Sequence, residues 1–287
     1  MAVFTDPAGL YGDEPDYEDW LAGSTGKLNF GFVYEQKLFS QYKDVGMIPT
    51  GFTPAGASNT AADLELWAPK YTANKAPTTG QKIKIEVKLD AKADYGQSSL
   101  DHNGGSWVLK GSNTPEALEM RRLLNGMNVV ADINRAWPGK PNLFNYNKSS
   151  EVPGFEKQAD YVNYKSSFIS GAGFARAFAS YYSSKGVNYI QIGGLGLYSL
   201  GSDPNNLAQL GVTPFLTSGA TMKLRIRIKG SQSKGTYRFS TALLMDNSPR
   251  PSGCNLDDNS VVERMRWDAV YCRNAPDYLK KQRAAIR

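Results

Sequence analysis

The sequence predicts an α+β fold built around a central sheet, and three observations carry that reading. Residues 82–89 and 222–229 alternate apolar and charged side chains, the period of a half-buried strand. Residues 28–42 and 167–184 instead carry apolar and aromatic side chains at spacings of three and four, the period of a helix. The chain of 287 residues also holds 28 glycines and 15 prolines, which asks for more turns than a helical bundle has.

Along the chain, the first element is an amphipathic helix, because Leu28, Phe32, Glu35, Leu38, Phe39 and Tyr42 share a stripe that ends before Gly46 and Pro49. A loop rich in Gly, Thr, Pro and Asn leads to Ala62–Trp67, which alternates like a strand, and Lys70–Gly80 reads as a turn region. In the next strand Ile83, Ile85, Val87 and Leu89 fall on one face and Lys82, Lys84, Glu86 and Lys88 on the other. A polar loop with Gly104 and Gly105, a strand at Ser106–Lys110 and a helix near Pro115–Gly126 follow. Residues 132–165 read as loop-rich, 167–184 as an aromatic helix, and Val187–Leu200 as a strand or hairpin about Gly193 and Gly194. Gly193-Gly194-Leu195-Gly196 lacks the spacing of a dinucleotide or phosphate loop and reads as close strand packing. Met222–Lys229 pairs as a hairpin with Thr236–Leu244 across a polar turn.

Composition removes several chemistries. The single histidine, His102, leaves no His-rich zinc site, and it reads as a turn residue within Asp101-His102-Asn103 rather than as a triad member. Cys254 and Cys272 stand 18 residues apart without a CxxC pair, which excludes a zinc ribbon. Any metal site must then use carboxylate oxygens, which suit Mg2+, Mn2+ or Ca2+. No apolar run is long enough to span a membrane, and the first twenty residues are acidic where a secretory signal is basic and then apolar, so a cytoplasmic protein without membrane partners is expected.

The net charge of +6 is unevenly spread. Residues 1–20 hold six acids and no base, leaving +12 on the remainder, and 263–287 hold seven bases against three acids. A basic body suggests a polyanionic partner such as nucleic acid. Lys223, Arg225, Arg227 and Lys229 recur at about 6.6 to 7 Å along one strand face, a spacing that roughly follows phosphates. The acidic N-terminus, with Tyr11, Tyr17 and Trp20, reads as a flexible arm, a docking peptide for a protein partner, or a cover for the basic surface.

The strand at 82–89 places Glu86 and Lys88 two apart on one face, and Asp63 lies in a neighbouring strand-like run. Two acids and a lysine are a set for metal-assisted phosphodiester hydrolysis. The carboxylates can hold one or two Mg2+ ions that polarise the phosphate and activate water, while the lysine orients that water or stabilises developing charge. Asp90 and Asp94 are rival acids, and Glu65 is a spare on the Asp63 face.

Asp63, Glu86-Val87-Lys88 and the helical Glu35 together resemble the PD-(D/E)xK, or restriction-endonuclease-like, nuclease superfamily, over roughly residues 28–100. The resemblance implies a mixed central sheet flanked by helices, and the strands read at 222–244 add a β-rich C-terminal elaboration to that core. It implies Asp63 and Glu86 as ligands of Mg2+ or Mn2+, Val87 as a further ligand through its carbonyl, and Lys88 as the residue that orients water. It matches Glu35 to the acid on the helix before the catalytic strands, and Gln97 to an auxiliary glutamine expected on a helix or loop. Ala62 stands where the family motif has proline.

The expected organisation is therefore an acidic arm at 1–26, a nuclease core at 27–130, and the rest of the fold with DNA-binding elements and a basic tail at 131–287. The expected function is a Mg2+-dependent deoxyribonuclease, cutting DNA as a homodimer if it cuts both strands, in a bacterial or phage setting. A different class fits the same basic strands: a non-catalytic nucleic-acid-binding structural protein, such as a viral coat or packaging component. A carbohydrate- or protein-binding module fits the net charge less well.

Overall fold

The computed structural model describes residues 30–54, 62–110, 115–126, 128–136, 162–164, 171–231 and 236–272. The expected acidic arm and the last fifteen residues of the basic tail lie outside them, as do the side chains of Gln97, Arg227 and Lys229. In chain order the elements are helix α1 (Phe30–Asp44), strands β1 (Leu64–Trp67), β2 (Lys70–Thr72), β3 (Lys75–Thr78), β4 (Lys82–Lys88), β5 (Tyr95–His102) and β6 (Trp107–Lys110), helices α2 (Pro115–Gly126) and α3 (Val129–Ala136), strand β7 (Val162–Tyr164), helix α4 (Gly171–Ser184), strands β8 (Tyr189–Ile192), β9 (Gly196–Ser199), β10 (Thr213–Pro214), β11 (Thr221–Ser231) and β12 (Thr236–Asn247), and helix α5 (Asn259–Tyr271). Helices and several sheets make this an α+β protein. Among the described residues no helix is long and apolar enough to cross a membrane.

The chain forms two compact units, each drawn from separated stretches. The first takes in the described residues up to Ala91 with Val187–Thr213 and those from Pro251 onward, and the second takes Lys92–Gly186 and Pro214–Arg250. The sequence boundary at residue 130 falls inside the second unit, between stretches that pair with each other.

The first unit is built on a mixed sheet of order β1-β4-β8-β9-β10, in which β4 runs antiparallel to β1 and parallel to β8. Alternation does in β4 what the sequence expects: Ile83, Ile85 and Val87 are buried while Lys82 is exposed. Those three side chains share a core with Leu64 and Leu66 of β1, Tyr189 of β8 and Tyr34, Leu38 and Tyr42 of α1, which stand four apart on one helix face. Each such aliphatic side chain contributes roughly 1.5–3 kcal/mol on burial, so α1 is held by its apolar stripe rather than by propensity. Helix α5 starts at an Asp258 cap whose carboxylate accepts from the Ser260 N–H, and it adds Val262 and Met265 to the same core.

The turn between β8 and β9 depends on glycine. Gly194 has φ 72°, and a Cβ at Gly193 would overlap the Leu89 carbonyl oxygen. The glycine cluster thus serves close strand packing, as its spacing suggests.

In the second unit the sheet order is β6-β5-β12-β11-β7, antiparallel throughout, with the long β11–β12 hairpin at its centre. Helix α4 contributes Phe178, which packs edge to face on Tyr95 of β5 and on Tyr182. These aromatics are core, as helical spacing indicates.

Candidate active site

The fold brings Glu35, Asp63, Glu86 and Lys88 into one cluster within the first unit, where each affects the titration of its neighbours. Three elements supply them: α1, the entrance to β1, and β4. Pairing of Leu64 with Ile85 sets the register, and its continuation by one residue places Asp63 opposite Glu86, on the face that also carries Glu65, Lys84 and Lys88.

Asp63 sits one residue before β1 and completes the ladder with its side chain. The Val87 N–H donates to Asp63 Oδ2 at 2.8 Å. The backbone carbonyls of Lys84 and Lys88 accept from Asn188 and Gly193 on the β8 side. By alternation, the Val87 N–H and C=O both face the β1 edge, just beyond the point where β1 begins. The Val87 carbonyl therefore opens toward the edge that the Asp63 carboxylate occupies.

Lys88 Nζ donates to Glu86 Oε1 at 2.6 Å, and their side chains are 17% and 5% exposed. Asp63 is 6% exposed and Glu35 9%. Burial, then the carboxylates of Asp63 and Glu86, push the Glu35 pKa up to about 8, against the opposing effect of the Lys88 ammonium. Burial would lower the Lys88 pKa, but Glu86, Asp63 and Glu35 outweigh it, so the pKa is raised and the ammonium persists at neutral pH. Three carboxyls thus share the cluster with the Lys88 ammonium, and burial first, then the neighbouring carboxylates, favour the protonated form of Glu35 near neutral pH.

Toward the other end of the same face the charges become exposed. Glu65 pairs with Lys82 at 3.3 Å and with Lys84 at 3.6 Å, and both lysine side chains are over 40% exposed. Glu65 is therefore a surface ion-pair partner rather than a spare ligand.

The donor set is chemically suited to a hard divalent cation. Asp63, Glu86 and the Val87 carbonyl offer oxygens from one edge, and the surplus of buried carboxyl over ammonium is the charge imbalance that such an ion removes. Among the described residues, however, no three His, Cys, Asp or Glu side chains are grouped as a ready metal site. One of the two Glu86 carboxylate oxygens, Oε1, accepts from Lys88.

The other expected site residues fall elsewhere. Gln97 lies on β5, a strand rather than a helix or loop, and in the second unit. Its backbone pairs opposite Ala242 of β12. Asp94 is taken by Arg225, which donates to both of its carboxylate oxygens at 2.8 Å. Lys223 pairs with Asp246 at 3.2 Å. These two members of the basic strand face thus have carboxylate partners within their own unit. His102 ends β5, and its Nδ1 accepts from the Gly104 N–H, the turn role its sequence context indicates. Cys254 and Cys272 are free, buried thiols.

Gln191 and Asn205 are buried polar residues that the sequence pattern does not single out. Gln191, in β8 beside Val87, has no exposed surface. Its Nε2 donates to Tyr34 Oη at 3.1 Å and to Asn255 Oδ1 at 2.7 Å, while its Oε1 accepts from the Leu256 N–H. Tyr34 Oη in turn donates to Asp257 at 2.7 Å. This network ties α1 to β8 and to the segment before α5, and so fixes the helix that carries Glu35. A glutamine inside the apolar run Tyr-Ile-Gln-Ile was the available signal. No protein-family model, curated protein or solved structure matches this chain.

Proposed function

We propose that the chain is a metal-dependent DNA endonuclease of the restriction-endonuclease-like kind, hydrolysing phosphodiester bonds at the cluster of Glu35, Asp63, Glu86 and Lys88. The observation that carries this reading is the convergence of those four side chains, from three elements, at one buried end of the antiparallel β1–β4 pair. A mixed sheet with α1 packed on it is also the architecture that the sequence resemblance implies.

Asp63, Glu86 and the Val87 carbonyl would hold Mg2+ or Mn2+. When bound, the ion supplies a Lewis acid for a phosphate oxygen and lowers the pKa of a water. The protein's own groups do the rest. The Val87 N–H fixes the Asp63 carboxylate through the bond to Oδ2, so that this oxygen donor is set in place. Lys88 presents a persistent ammonium that can orient water or stabilise charge developing on the phosphate. Glu35, with its pKa raised to about 8, is largely protonated at neutral pH and can donate that proton within the cluster, serving as a base only in the ionised fraction that grows as pH rises. Cleavage of both strands would require a second site, which a homodimer supplies.

The net charge of +6 favours a nucleic-acid substrate. Incubating supercoiled plasmid with the protein tests the reading. Nicked or linear product is expected with Mg2+ and not with EDTA. Retarded but intact plasmid under both conditions points instead to a non-catalytic nucleic-acid-binding structural protein.

A further inference from the structure

We propose that Lys88 is an internal counter-ion that occupies the cation site, so that a divalent ion binds by displacing its ammonium from Glu86. The inference rests on the metal-site reading given above and adds how that site is controlled. Three observations carry it.

The ammonium lies 2.6 Å from Glu86 Oε1, the contact of a charge-assisted hydrogen bond, and the pair is largely withdrawn from water. Glu86 itself belongs to the candidate ligand set, so one oxygen cannot serve the ammonium and a metal ion at full strength together. Lys82 and Lys84, on the same strand face, pair with Glu65 further down the strand. Lys88 therefore supplies positive charge beside the buried carboxylates of Asp63 and Glu86, whose close approach costs free energy when charged.

Binding then becomes an exchange. A divalent ion takes the Glu86 oxygen, and the released ammonium, on a side chain with four rotatable bonds, turns to the side where a phosphate can meet it. The same residue thus suppresses the site without metal and is delivered to its chemical position by the metal. The affinity for the ion is lowered by the work of breaking the pair, which makes the site responsive to cation concentration rather than permanently loaded.

Mn2+ binding, followed by electron paramagnetic resonance of the free ion, tests this with the full chain as wild type, Lys88→Met and Lys88→Gln. Wild type is expected to bind Mn2+, and both variants to bind it roughly tenfold or more tightly because the competing ammonium is gone. Thermal melts give a second readout: the variants should melt lower than wild type in EDTA, and Mn2+ should raise their melting temperature by more than it raises that of wild type. A variant that does not fold in EDTA is assayed after folding in Mn2+, and the other glutamine or methionine variant provides the independent comparison. Wild-type binding with equal or weaker binding in both variants overturns the exchange while leaving the metal site standing. Absence of Mn2+ binding in all three proteins overturns the metal-site reading and the exchange with it.

Discussion

Replacing Glu35 with glutamine isolates the electrostatic strain of the cluster. In the unfolded chain this carboxyl titrates near 4.5, and in the fold near 8, chiefly through burial and then through Asp63 and Glu86. Between those values the folded protein binds a proton that the unfolded chain has lost. Stability conferred by the neutral carboxyl is therefore complete below about pH 4.5, declines as pH rises, and is gone above about pH 8. At about 1.4 kcal/mol per pH unit, the span sets a ceiling on the order of 5 kcal/mol. Lys88 and the neighbouring acids share the titration, which brings the expected loss to about 2–4 kcal/mol. Glutamine keeps the shape and a hydrogen-bonding group but cannot ionise. Urea unfolding followed by circular dichroism in EDTA, from about pH 5 to about pH 9, should show wild type losing stability relative to Glu35→Gln, with the variant the more stable at the alkaline end. Titrating groups remote from the cluster are common to both proteins and cancel in the difference, while Lys88, Asp63 and Glu86 respond to the substitution as part of the same coupled titration. Parallel stability curves across that range refute the electrostatic account of the cluster.

Further outcomes follow from individual contacts. Asp63→Asn should leave stability within about 1 kcal/mol, since an amide oxygen can still accept from Val87, whereas Asp63→Ala should cost about 1–3 kcal/mol in urea melts by orphaning that N–H. Arg225→Ala should cost about 1–3 kcal/mol by leaving Asp94 without its two-pronged partner, and Lys223→Ala less than about 1 kcal/mol because its pair with Asp246 is exposed. The salt dependence of DNA binding by the double variant should flatten by less than about one unit of slope, since both cations already face carboxylates. Gly193→Ala should lower the melting temperature strongly, because the added methyl group meets the Leu89 carbonyl. A melt unchanged from wild type contradicts that packing.

Strict periodicity made part of this molecule legible. The β4 face that unites Glu86 and Lys88 follows from alternation alone, and α1 follows from Glu35, Leu38, Phe39 and Tyr42 at helical spacing, although the fully buried Tyr34 stands outside the stripe that the spacing picks out. The β2–β3 hairpin was hidden because it is short, largely exposed apart from Tyr71, and turns at Asn74 in a left-handed conformation, so that it reads as a turn. Strand β5 was hidden because Gly96, Gln97, Ser98 and Ser99 interrupt its apolar alternation. Helix α5 did carry a signal, an Asp258 cap followed by Val262, Met265 and Ala269, in a stretch read mainly for its charge. The two units could not be read at all, since they depend on β4 pairing in parallel with β8 across the whole 92–186 stretch. Within the site, the residue types were visible in the sequence. The bond from Val87 to Asp63, the Lys88–Glu86 contact and the Gln191 network needed the tertiary register.

Plasmid cleavage by wild type, Asp63→Asn and Glu86→Gln, each at matched Mg2+ and with DNA binding measured in parallel, bears most directly on the proposed chemistry. Both substitutions remove a ligand charge while keeping side-chain size, so both proteins should bind DNA as wild type does and lose Mg2+-dependent cleavage by roughly two decades or more. Undiminished cleavage by Asp63→Asn and Glu86→Gln would place the reaction away from this cluster.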